Sequence, residues 1–137
     1  MKIASGGRQN GVMLIEALIG MLIFSVGILA LLGMQATAMR ATMDAKYRSE
    51  AGFLANEIIG VMWVDRANLN SYATASCAGY TACNDWLTRV ASLLPQTGAN
   101  APTIAISGQE VTVTVRWQRP GESSVSNHVA VATINNT

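Results

Sequence analysis

Residues 17 to 39, ALIGMLIFSVGILALLGMQATAM, carry no formal charge over 23 consecutive positions. As a helix rising ~1.5 Å per residue, such a run extends about 35 Å, enough to cross the ~30 Å hydrocarbon core of a bilayer. A helix buried in a soluble core is also apolar on every side, but the remaining hundred or so residues are too few to cover all its faces. Residues 17 to 39 therefore read as membrane-competent. Lys2 and Arg8 precede the run, and Arg40 is the first charge after it. The bias of positive residues toward the cytoplasm then places the N-terminus inside and everything beyond residue 40 outside.

The run opens with an acid. Glu16 lies five residues past Gly11 in GVMLIEALIG, and a charge near the bilayer centre costs ~2.5 to 3.5 kcal/mol or more. A plain signal anchor leaves this carboxylate to snorkel at the cytoplasmic interface. A secretory signal is a second alternative, with Ala36-Thr37-Ala38 as the small-residue cleavage pattern and Met39 as the new N-terminus of a periplasmic binding protein. Export signals have apolar cores of roughly 7 to 15 residues, shorter than this one, and have no use for an acid.

Lys2, Arg8, Gly11 and VMLIEALIGMLIF together resemble the leader and junction of type IV prepilins, whose motif is a glycine, four mostly apolar residues and a glutamate. The resemblance implies that a prepilin peptidase cuts after Gly11 on the cytoplasmic side and methylates the new amine on Val12. Val12 stands where phenylalanine is commonest in that family, and Met13 where threonine or serine is usual. The new amine lies four residues before Glu16, and a nearby positive charge makes an ionised carboxylate far less costly in low dielectric. In the family this glutamate is thought to meet the terminal amine of a neighbouring subunit and so to set axial register. Pairing within the same chain is the competing geometry.

The placement outside the cytoplasm governs the two cysteines. Cys77 and Cys83, in CAGYTAC, read as a disulfide closing a small loop in an oxidising compartment, with two buried thiols as the alternative. Two cysteines and the distant His128 are too few for a zinc site. His128 has no nucleophile motif or metal-ligand spacing around it and reads as a solvated sheet residue; no phosphate-binding glycine loop is present. The sequence thus gives no catalytic residue, no metal site, no cofactor and no enzyme. The chain carries a net charge of +1, and without residues 1 to 11 it has seven basic side chains against eight acidic ones, which does not suit nucleic acid.

Beyond the anchor, Met43, Tyr47, Ala51, Leu54, Ile58 and Val61 recur at helical spacing, with Arg40, Asp44, Arg48 and Glu57 off that stripe. Asp44 with Arg48 and Lys46 with Glu50 stand four apart, as ion pairs on an exposed helix face do. One helix from about Val12 to Asp65, roughly 80 Å at ~1.5 Å per residue, is expected. Gly20, Gly27 and Gly33 suit close helix approach within the anchor. Many major pilins have proline at the position matching Gly33, so its absence argues against a sharp kink there.

After Arg66 the text ANLNSYATASCAGYTAC reads as a polar surface loop pinned by the disulfide. Asp85 is expected to cap a short helix carrying Trp86, Leu87, Val90, Ala91 and Leu94, stopped by Pro95. Residues 95 to 103 read as a linker. TIAIS, QEVTVTVRWQR and the stretch around HVAVATI read as strands of an antiparallel meander. Trp63, Trp86 and Trp117 are expected in the core.

The fold class is α+β, a long N-terminal helix on a small antiparallel sheet. The expected parts are a cleaved leader (1–11), a transmembrane and assembly helix (12–39), its amphipathic continuation (40–66) and a globular head (67–137). RSEAGFLANEIIGVMWVDRANLNSY is similar to the PilV-type minor pilins. That resemblance implies a structural subunit that helps prime a type IV pilus. Its partners would be the prepilin peptidase, other minor pilins, the major pilin and the inner-membrane assembly platform. It would reside in the bacterial inner membrane with a periplasmic head and then in the pilus. Minor pseudopilins of type II secretion share the leader and helix and are the alternative.

Overall fold

The computed structural model describes residues 9 to 95 and 100 to 135. Lys2 and Arg8 of the leader, and the middle of the 95–103 linker, lie outside those residues. The chain divides into two units, one ending at Thr42 and one beginning at Met43.

The first unit is helical throughout its described part. It belongs to α1 (Gln9–Val64), and its most apolar 18-residue window is wholly unburied within the chain. Ser25 and Thr37 donate their hydroxyls to the carbonyls of Met21 and Gly33, four residues back, at 2.7 and 3.1 Å. Both hydroxyls are therefore satisfied by the helix's own backbone, which makes this stretch compatible with a membrane anchor.

In the second unit, residues 43 to 64 of α1 bury Ala51, Leu54, Ala55, Ile58 and Met62, a stripe at three- and four-residue steps. The expected stripe is right at its centre and wrong at its ends. Met43 is 52% and Val61 37% exposed, and Met62 takes the place given to Val61 because the buried face lies one residue further round the last turn. The pairs Asp44–Arg48 and Lys46–Glu50 form, at 4.0 and 3.8 Å. The helix ends when Asp65 leaves helical geometry (φ −107°, ψ 43°).

Residues 66 to 80 correct the surface-loop reading. A 3-10 helix (Arg66–Tyr72) and a short α2 (Thr74–Cys77) fold inward, burying Leu69, Tyr72 and Cys77. The apolar positions are sparse there, so their packing is set by tertiary contacts and not by a local period. Next comes α3 (Thr81–Leu93), which starts four residues before Asp85, so Asp85 lies inside the helix and does not cap it. Tyr80 holds the cap position with extended backbone, and its side chain makes no capping bond to the helix. At the other end Pro95 forces its predecessor out of helical geometry, and Leu94 is extended at φ −114°, ψ 135°.

The sheet has strands β1 (Thr103–Ser107), β2 (Glu110–Trp117) and β3 (Ser126–Thr133), antiparallel in the order β1-β2-β3. Ser107 faces Glu110 across a two-residue turn. Gly108 opens that turn at φ +62°, the left-handed backbone a type II′ hairpin needs at its first central position. Val111, Val113, Val115 and Trp117 alternate inward on β2 and join Leu54, Ile58, Trp86, Val90 and Ile104 in one core. Trp86 also donates its indole N–H to the Leu54 carbonyl at 2.9 Å, tying α3 to α1. Trp63 is 39% exposed and is not core: its ring carries the Arg66 guanidinium 5.5 Å above it. His128 is a sheet residue, but only partly solvated. It is half-buried on the inner face, where its ring would lie 3.6 Å from a Cβ added at Gly52.

Candidate assembly site

Gly11, Val12 and Glu16 share the first turns of α1, and all three are exposed. Val12 and Glu16 are four residues apart and so stand one above the other on a single helix face. A Cβ added at Gly11 would meet nothing within 4 Å. The fold of this chain therefore does not require glycine there, and any such requirement comes from something that acts on the chain. The same open space surrounds Gly20, Gly27 and Gly33. Ala30, Gly33, Met34, Thr37, Ala38 and Ala41 line one shallow groove along the helix. A surface of this kind lets another helix backbone approach closely.

In the head, the disulfide joins Cys77 to Cys83, with Cα atoms 5.1 Å apart. Beside it, Asp65 accepts three hydrogen bonds: from Asn68 Nδ2 at 2.8 Å, from the Tyr72 hydroxyl at 2.9 Å and from the Tyr80 hydroxyl. The bonds from Tyr80, Asn68 and Tyr72, in that order of weight, hold the Asp65 carboxyl below its usual range. Burial and the carboxylate raise the Tyr72 phenol, and the hydrogen bond to Asp65 raises that of Tyr80. The two rings meet edge to face at 5.0 Å. This knot fastens the end of α1 to the disulfide loop. Sequence reasoning missed it, since residues 65, 68, 72 and 80 follow no single period. The one available signal was an acid at the helix end followed by two tyrosines, Tyr72 before the disulfide loop and Tyr80 within it.

Glu57 pairs with Arg89 across α1 and α3. Among the described residues no group of three or more His, Cys, Asp or Glu side chains is placed to hold a metal ion. The two regions that sequence reasoning singled out thus have separate characters, an exposed junction on α1 and a covalently fastened head. No family model, no curated protein and no solved structure matches this chain.

Proposed function

We propose that this chain is a minor pilin of a type IV pilus, a structural subunit that primes assembly from the bacterial inner membrane. The observation that carries the reading is the placement of Glu16 just before a charge-free helical segment, residues 17 to 39, that is unburied within its own chain. Such a helix needs apolar surroundings from elsewhere, first lipid and then the helices of neighbouring subunits. A prepilin peptidase would cut after Gly11 and methylate the amine of Val12. The ammonium so formed, on the subunit itself or on a neighbour, offsets the charge of Glu16 in low dielectric. Extraction from lipid is balanced by close helix packing along Gly20, Gly27 and Gly33. The other minor pilins, the major pilin and the inner-membrane assembly platform are the partners this implies, with the head in the periplasm before assembly.

N-terminal sequencing with mass analysis of the chain from its native bacterium tests the proposal. Methylated Val12 at the N-terminus supports it. A chain beginning at Met39 would mean export of a soluble protein, and an intact Met1 a plain anchor; either result overturns it. Glu16→Ala should be cleaved normally yet assemble poorly into filaments, and normal incorporation would refute the docking role of the acid.

A further inference from the structure

Cys77 and Cys83 are 2% and 0% exposed, yet the residues between them lie at the surface. Ala78, Gly79 and Thr81 are exposed, and Tyr80 is half-buried. Cys77 ends α2 and Cys83 stands third in α3, so the disulfide spans the turn between the two helices. The backbone bonds of that turn are local. The Gly79 N–H donates to the Ser76 carbonyl at 3.0 Å and the Tyr80 N–H to the Cys77 carbonyl at 3.1 Å. Exposed segments held by local bonds are the parts of a fold that open at low cost. A thiol reaches a buried sulfur only through such an opening, because exchange depends on access.

Of the five residues between the cysteines, Tyr80 supplies the side chain that reaches beyond the turn. It stands midway between them, and its hydroxyl donates to Oδ2 of Asp65, 15 residues earlier at the end of α1. The Tyr72 hydroxyl donates to the same oxygen at 2.9 Å, and the two rings meet edge to face at 5.0 Å. Tyr72 is fully buried, and its carbonyl oxygen lies 3.7 Å from Cys83 Sγ. The disulfide thus backs onto Tyr72, while Tyr72 and Tyr80 both end on one carboxylate oxygen. Asn68 Nδ2 occupies the other oxygen at 2.8 Å. Hydrogen bonds to an ionised carboxylate are roughly twice as strong as neutral ones. Any opening of the turn that carries Tyr80 outward must break its bond to Asp65 and its contact with the Tyr72 ring.

We propose that Asp65 locks the Cys77–Cys83 disulfide against exchange with thiols, acting through Tyr80. The reaction held back is a two-step transfer. A thiolate of a dithiol attacks one protein sulfur, the S–S bond breaks and a mixed disulfide forms; the second thiol of the dithiol then displaces the protein sulfur and closes a disulfide of its own. Cys77 and Cys83 gain two electrons and two protons, and the dithiol is oxidised. Asp65 and Tyr80 are positioning residues, because they act through the turn and set how often its sulfurs become accessible. The chain has no third cysteine. A thiol freed here re-pairs with its old partner or with a cysteine of another chain, and the lock keeps that pairing within the head.

The test exposes the full chain, in non-ionic detergent micelles without denaturant, to dithiothreitol at about pH 8, where that dithiol is partly thiolate. Free thiols are counted over time by alkylation and mass analysis. Tyr80→Phe keeps the ring and removes the hydroxyl; Asp65→Asn keeps the shape and removes the charge. Each should speed reduction about tenfold or more. The double variant should fall well short of the product of the two effects, because both substitutions break the same bond. Val113→Ala, a core truncation in β2, should lower the unfolding midpoint and leave the reduction rate unchanged, as expected if the turn opens locally. Reduction of Tyr80→Phe at the native rate overturns the proposal. So do single effects that multiply in the double variant, or a Val113→Ala chain reduced as fast as Tyr80→Phe. None of these readouts depends on membrane anchoring or on cleavage at Gly11, so failure here is separable from failure of the pilin reading.

Discussion

Thr74 offers a sharp test of how the head is held together, because one hydroxyl serves as both donor and acceptor for a single residue of β1. Thr74→Val keeps the shape of the side chain and removes only the oxygen, so no cavity adds to the cost. Both hydrogen bonds to Ile104 are lost, each worth about 0.5 to 1.5 kcal/mol. Ile104 itself is 3% exposed, but Thr74 lies at the surface and water can reach the freed groups in part. The expected loss is therefore about 1 to 2 kcal/mol. For a head of this size that lowers the thermal midpoint by roughly 5 to 10 °C. Thr74→Ser retains the hydroxyl and should recover most of the loss. Unfolding of the full chain in detergent, with the disulfide intact, can be followed through the fluorescence of Trp86 and Trp117, which are both buried. Equal midpoints for Thr74→Val and the native chain would refute the argument. A serine variant as unstable as the valine variant would refute it too, because it would assign the effect to packing.

Three further outcomes are expected. Replacing Cys77 and Cys83 together by alanine should cost about 2 to 3 kcal/mol by release of a short loop, read as a lower denaturant midpoint with α3 still helical by circular dichroism. Asp65 titrates below its usual 3.8, so its stabilising contribution is complete above that value and is lost as pH falls through the lower folded-state value. The unfolding midpoint should drop in acid, and Asp65→Asn should flatten that drop. Trp117→Ala should cost about 3 to 5 kcal/mol as a core truncation, whereas Trp63→Ala, removing an exposed ring under Arg66, should shift the midpoint little.

The sequence revealed those parts of the fold whose signal is periodic. The alternation of valine and threonine from Val111 to Thr114 placed β2 with the correct face inward, and the helical spacing of Tyr47, Ala51, Leu54 and Ile58 placed the buried side of α1. The Ser107-Gly108 turn and Pro95 marked ends because each acts on its own backbone. What stayed hidden depends on residues far apart in the chain. The inward fold of residues 66 to 80 follows from Asp65 gathering Asn68, Tyr72 and Tyr80, and from Thr74 reaching Ile104, which is 30 residues away in sequence. Trp63 misled because a large apolar ring in a helix reads as core, yet its position turns it toward solvent and Arg66. Likewise His128 read as solvated because alternation alone does not show that Gly52 leaves room for an imidazole beneath β3.

The magnitudes also decide what Glu16 can and cannot do. From Val12 to Met39 there are seventeen large hydrophobic side chains exposed within the chain, and covering each fully is worth roughly 1.5 to 3 kcal/mol. The total is on the order of 25 to 50 kcal/mol, well above the ~5 to 15 kcal/mol that holds a typical domain folded. Against it, one carboxylate at ~2.5 to 3.5 kcal/mol cannot keep the helix out of lipid. A cost of that size can still choose among arrangements that bury the same apolar area, because a few kcal/mol amounts to a hundredfold or more in population at ~1.4 kcal/mol per tenfold. Glu16→Ala should therefore leave the membrane-bound fraction unchanged after carbonate extraction and alter only which axial registers are populated when helices pack. Loss of the variant from the membrane would refute this separation of roles, because it would show the acid acting on insertion and not on register.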